Sequence, residues 1–79
     1  MTAKQARALS EQYLQEDREH VDMRIMEACA RGHYKVWVQE VMLENVDDVK
    51  DYYRALGFTI TEHPNHLVRE FLISWEYEQ

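Results

Sequence analysis

The chain has almost none of the residues that staple or break small folds. Its 79 residues include one cysteine, two glycines and one proline. A lone Cys29 excludes a disulfide framework and suits a reducing compartment. Two glycines cannot build a glycine-rich phosphate loop, and both Gly32 and Gly57 sit where helical patterns end. Apolar runs are short. None approaches the roughly 18 residues of a membrane span, and the polar opening Met-Thr-Ala-Lys-Gln does not read as a secretory leader. Positive charge is also scarce, with nine Lys and Arg against fifteen Asp and Glu, a net charge of -6 and a pI near 5.1. Without a basic cluster, long DNA or RNA is excluded as a ligand, because its binding rests on neutralising the backbone. A small anion held by two or three placed arginines is not excluded.

What is present is an α+β pattern: a long N-terminal helix, then β-α-β-β with a small three-stranded mixed sheet. Thr2-x-x-Gln5 is a capping-box signature, and good helix formers continue to about Arg31, where Gly32 supplies the left-handed stop. Such a helix is about 40 Å long, more than a domain of this size needs. Leu14, Val21, Ile25 and Ala28 form an apolar stripe with Met26 and Cys29 beside it, and Cys29 reads as a buried structural thiol. The run Gln15 to His20 has little to bury. The second half of the helix is therefore expected on the sheet, and the first half, with Ala6, Leu9 and Tyr13, projects towards a partner chain. A kink near Glu16 is the alternative.

Tyr34, Val36 and Val38 alternate with Lys35, Trp37 and Gln39 as in a strand running from His33 to Gln39. Asn45 is placed as an N-cap, with Asp47 and Asp48 in the positive first turn. Val46, Val49, Tyr53 and Leu56 make the buried face of this second helix, and Gly57 ends it with Phe58 packing back. Phe58 and Ile60 point inward along the second strand. His63-Pro-Asn-His66 is turn chemistry, and the last strand, from His66 to Tyr77, alternates Phe71, Ile73 and Trp75 against Leu72 and Ser74. Strand, helix, strand implies a right-handed crossover. The chain is thus one domain: residues 1–31 form the long helix and oligomerisation arm, and residues 33–78 the core.

Catalytic and metal patterns are weak. His63-x-x-His66, with His33, has loose ligand spacing but lacks well-placed further ligands. The carboxylates, among them Glu16, Asp47, Asp51, Glu76 and Glu78, fall on solvated faces or near the end of the chain. No nucleophile, base and oxyanion donor come together, so the chain reads as a non-enzyme that needs no cofactor. Aromatics are plentiful. Tyr34, Tyr53 and Phe71 are assigned to the core, while Trp37, Trp75, Tyr13 and Tyr52 exceed what so small a core holds. An exposed ring beside arginine either stacks a nucleobase or anchors a protein interface. A chain this small needs extra burial, which favours the interface and a homo-oligomer, dimer or tetramer. Trp37, Val68 and Leu72 share a sheet face that the long helix or another subunit must cover. Lys4 and Arg7 lie near a helix N-terminus, where basic groups are unfavourable without a counter-charge.

Several segments together resemble a known group. Thr2-Ala-Lys-Gln-Ala-Arg-Ala-Leu9, the Ala-Arg-Gly32 helix end, Tyr34-Lys-Val-Trp-Val38, Leu56-Gly-Phe58 and Ile73-Ser-Trp75 resemble, in that order, short α/β proteins encoded by tailed bacteriophages. The chain differs in continuing as Glu76–Gln79 past the tryptophan. Within that setting it is similar to the phage anti-CBASS sponges, oligomers that sequester cyclic dinucleotide signals without cleaving them. The resemblance implies an immune-evasion protein of the host cytoplasm. It also implies capture of a cyclic dinucleotide at a subunit junction, with Lys4, Arg7, Tyr13, Arg24, Tyr34 and Trp75 as ligand-binding residues. The rival reading is a non-enzymatic interaction module, a virion component or an inhibitor docking on a host protein.

Overall fold

A computed structural model describes residues 1–76; Tyr77 and Glu78, assigned above to the last strand and the core, lie outside the described residues. Helix α1 spans Ala3–Ala30, strand β1 Lys35–Gln39, helix α2 Val46–Ala55, strand β2 Thr59–Glu62 and strand β3 Glu70–Ser74, with a single 3₁₀ turn at Glu40–Met42. The α+β class holds.

Local chemistry sets the helix ends. The Thr2 hydroxyl accepts from Gln5 N–H at 3.2 Å, and Gln5 Oε1 accepts from Thr2 N–H at 2.9 Å, the reciprocal capping box. At the other end His33 N–H reaches Ala28 O and Gly32 N–H reaches Cys29 O, a Schellman closure that requires the left-handed φ of +78° at Gly32. Phe58 N–H to Tyr53 O and Gly57 N–H to Arg54 O repeat it after α2, with φ +98° at Gly57. Between its caps α1 is one continuous helix, without a break at Glu16.

The sheet differs from the expected mixed arrangement. Its order is β1-β3-β2 and both pairings are antiparallel, with Val36 opposite Ile73 and Ile73 opposite Ile60. The α2 crossover does leave β1 and β2 running the same way, but β3 lies between them. β3 carries Phe71-Leu72-Ile73, and the central position leaves Phe71 and Ile73 fully buried. β3 is also shorter than expected. Asn65 turns the chain through Leu67 N–H to its Oδ1 and Val68 N–H to its carbonyl, which occupies residues otherwise available for the strand.

Both helices pack on one face of the sheet. Val21, Val38, Leu43, Val49, Tyr53, Phe71 and Ile73 form the core, with Ile25, Val36, Phe58, Ile60 and Trp75 against it. At about 25 cal/mol per Å² of apolar surface, each fully buried side chain of this kind contributes about 1.5–3 kcal/mol. Four residues expected at the core are exposed. Cys29 and Met26 are exposed, because only the narrow line of α1 from Asp17 through Val21 to Ala28 meets the body. Tyr34 is exposed, since it precedes β1 and is not pressed against a helix. Leu56 is exposed because α2 ends at Ala55 and the chain swings out through Gly57; Lys50 is buried instead.

Asp17 is the largest departure. It lies in the run expected to bury little, yet it is 4 % exposed. Its carboxylate accepts from Glu44 N–H at 3.0 Å and Asn45 N–H at 2.7 Å, while the Asn45 side chain makes no capping bond. A residue of α1 therefore satisfies the amides at the start of α2. Arg18 reinforces the junction, bridging to Asp48 at 3.2 Å with its guanidinium 3.9 Å from the centre of the Tyr52 ring.

Candidate interaction surface

With both helices on one side, the opposite face of the sheet is open. Strand alternation puts Lys35, Trp37 and Gln39 of β1 there, beside Glu70, Leu72 and Ser74 of β3 and Thr59 and Thr61 of β2. Trp37 sits opposite Leu72, which sits opposite Thr61, so the three make one row across the sheet. Trp37 is 40 % exposed and Val68, on the adjoining loop, is similarly exposed. The long helix does not cover this face.

Trp37 is held from two sides. Its ring meets the His63 ring with centroids 5.3 Å apart and planes tilted by 53°. Its carbonyl accepts from Arg24 Nη2 at 3.2 Å, and Arg24 Nη1 lies 3.6 Å from Glu27. Trp37 is therefore an aromatic platform on a strand rather than on a mobile loop. Beside it lies a cleft of about 360 Å³ lined by His20, Arg24, Trp37, Gln39, Met42 and Glu70. The cleft mixes one guanidinium, one carboxylate, an imidazole and an amide around an aromatic edge.

The sequence-predicted site residues do not converge within one chain. Lys4 and Arg7 are exposed on the first turns of α1. Twenty residues of helix, about 30 Å, separate Lys4 from Arg24. Tyr13 lines a different notch, of about 600 Å³, with Ser10, Leu14, Glu44 and Asn45. Tyr34 and Trp75 are neighbours, Trp75 N–H donating to Tyr34 O at 3.0 Å. Trp75, however, packs on the core with its ring edge-on to Phe58 at 6.1 Å. Only Arg24 reaches the cleft beside the open face, through the Trp37 carbonyl. Sequence reasoning missed His20, Gln39, Met42 and Glu70 as neighbours of Trp37, because their meeting depends on sheet register and on where α1 crosses. Alternation did separate Trp37 from the valines, which was the available signal.

On the core side, Lys50 Nζ binds Glu62 at 2.7 Å and Glu40 at 3.2 Å. Burial acts to lower the Lys50 pKa, but the hydrogen bonds and charges of the two glutamates outweigh it and hold the ammonium above its usual range. Tyr53 donates to Asp22, with Arg18 O at 2.9 Å. Burial first, then the bond to Asp22, pushes its hydroxyl well above the ordinary tyrosine range. Both groups tie separate elements of the fold together, Lys50 of α2 to Glu40 and to Glu62 of β2, and Tyr53 of α2 to Asp22 and Arg18 of α1. Among the described residues no three His, Cys, Asp or Glu converge as a metal site, and no helix is long and apolar enough to cross a membrane. Comparison with protein families, with curated proteins and with solved structures finds no match to this chain.

Proposed function

We propose that this chain is a non-enzymatic interaction module that docks on a partner protein through the open face of its sheet. The observation that supports this reading is Trp37, a large aromatic left 40 % exposed on a rigid strand, in a row with Leu72 and Thr61. Tryptophan in such a setting is the residue type that dominates binding energy at protein interfaces, and half-buried neighbours keep water from its edge. The acidic surface, net -6, selects a partner with a basic rim and speeds the encounter. In the phage setting that the resemblance implies, that partner is a host or virion protein. The test is affinity capture from infected cells with the wild-type chain and with Trp37→Ala. One protein retained by the first and lost by the second is expected; equal capture by both would remove the reading.

A second reading, capture of a cyclic dinucleotide in the host cytoplasm, is favoured by the Arg24 guanidinium, which binds the Trp37 carbonyl and lines the same cleft as the Trp37 side chain. That pair could hold one base and one phosphate, with a second copy supplying the rest. A thermal-shift panel of cyclic dinucleotides tests it. Ligand at one hundred times its dissociation constant adds about 2.7 kcal/mol of stability. A flat panel would leave only the protein-docking reading.

A further inference from the structure

One line of three- and four-residue steps runs the whole length of α1 through Ala3, Ala6, Ser10, Tyr13, Asp17, Val21, Arg24 and Ala28. From Asp17 onward this line meets the body, with Asp17, Val21 and Ala28 buried and Arg24 half-buried. Before Asp17 the same face is bare: every residue from Met1 to Tyr13 is exposed, including Leu9 at 42 % and Tyr13 at 51 %. The helix accordingly sets the 44 Å long axis of a molecule only 28 × 22 Å across. The notch lined by Ser10, Tyr13, Leu14, Glu44 and Asn45 lies where this bare face meets the body.

Charge identifies what fills the notch. The first ten residues carry Lys4 and Arg7 and no acid. Around the notch Glu11, Glu16 and Glu44 are exposed. None of these five groups has an ion-pair partner within the described residues. Lys4 lies about 18 Å from Glu16 along one rigid helix, too far to reach it, and Arg7, one turn from Glu11, makes no ion pair with it. Both are satisfied at once when two copies cross arms head to tail.

We infer that two copies of this chain associate through an antiparallel pair of α1 arms, each basic tip seated in the other's acidic notch. The steric pattern selects the register. Placing each Tyr13 ring over the partner's Ala6 puts Leu9 and Ser10 at the two-fold axis, large against small on both sides. The same register carries Lys4 and Arg7 alongside the partner's Glu16 and Glu11. The open sheet face around Trp37 stays outside this contact and remains available to another protein.

Light scattering on the full chain reads the association, and cysteine cross-linking in a Cys29→Ser background reads the direction. The expected mass is about 19 kDa, twice the 9.6 kDa of one chain. Tyr13→Glu and Leu9→Glu are expected to weaken the dimer at least about tenfold while circular dichroism keeps its helical signal, since both side chains are exposed in the single chain. Ser10→Cys, beside the two-fold axis, should cross-link under mild oxidation, and Lys4→Cys should not. A mass of 9.6 kDa at every concentration would overturn the inference, and so would a dimer that survives both glutamate variants. Equal cross-linking at positions 4 and 10 would overturn the antiparallel arrangement.

Discussion

Replacing Asp17 with alanine removes the side chain that holds the backbone amides at the start of α2 to α1. Two hydrogen bonds are lost at once, to Glu44 N–H at 3.0 Å and Asn45 N–H at 2.7 Å. A bond to a charged group contributes about 1.5–3 kcal/mol. Glu44 and Asn45 are themselves exposed, so water recovers part of the loss. The expected cost is therefore about 2–4 kcal/mol, near the lower sum of the two bonds. A chain of this size has a total stability of about 4–12 kcal/mol, so the loss takes a large share. Asp17→Asn keeps one acceptor but turns its amide N–H₂ towards the second backbone donor, and so recovers only part, leaving a cost of about 1–3 kcal/mol. Urea unfolding followed by tryptophan fluorescence measures both, at one fixed protein concentration because self-association would add stability. Hydrogen exchange should localise the effect, with the amides of Glu44 and Asn45 losing protection first. Glu19→Ala, two residues away and exposed, serves as the control and should stay within about 0.5 kcal/mol of wild type. If Asp17→Ala also stays within that margin, the carboxylate is not what fixes the helix junction.

Further outcomes follow from other contacts. The Tyr53 hydroxyl and the Lys50 ammonium both have folded pKa values raised above their unfolded ones, so their contributions are complete below about pH 10 and are lost as pH rises beyond it. Stability measured by denaturant titration should be insensitive to these two groups from pH 7 to about 9 and then fall by up to about 1.4 kcal/mol per pH unit from Tyr53; Tyr53→Phe should flatten that part of the slope. Gly57→Ala meets no atom within 4 Å, yet its φ of +98° should make it cost about 1–2 kcal/mol by thermal melting. Trp37→Ala should lower stability by about 2–3 kcal/mol, because at 40 % exposure most of the residue is still covered, while abolishing partner capture under conditions where the variant remains folded. Trp37→Phe, which keeps most of that burial, should stay within about 1 kcal/mol of wild type; if it binds as the wild type does, the indole is not the anchor.

Some features were legible in the sequence because their causes are local. The capping box at Thr2 and Gln5, the two glycine-closed helices, the inward line of Phe71 and Ile73 and the isolation of Trp37 from the valines each depend on a few neighbouring residues. Short-range sterics and the periods of helix and strand fix such features whatever surrounds them. The projecting first half of α1 was legible for the same reason, since it has no continuous apolar stripe wide enough to bury.

Tertiary structure decided the rest. The sequence places β1, β2 and β3 in order but does not say that β3 inserts between the other two, where Phe71 and Ile73 become fully buried. Asp17 looked like one more solvated carboxylate until the fold brought two unpaired amides against it from residues 27 and 28 positions away. Tyr34 and Cys29 looked buried and are exposed, because periodicity reveals a face but not whether anything packs upon it. The cleft beside Trp37 is assembled from α1, β1, the 3₁₀ turn and β3, none of which signals the others in sequence. Long-range contacts of this kind are set by which elements fill space together, and the amino-acid order encodes them only through the whole chain at once.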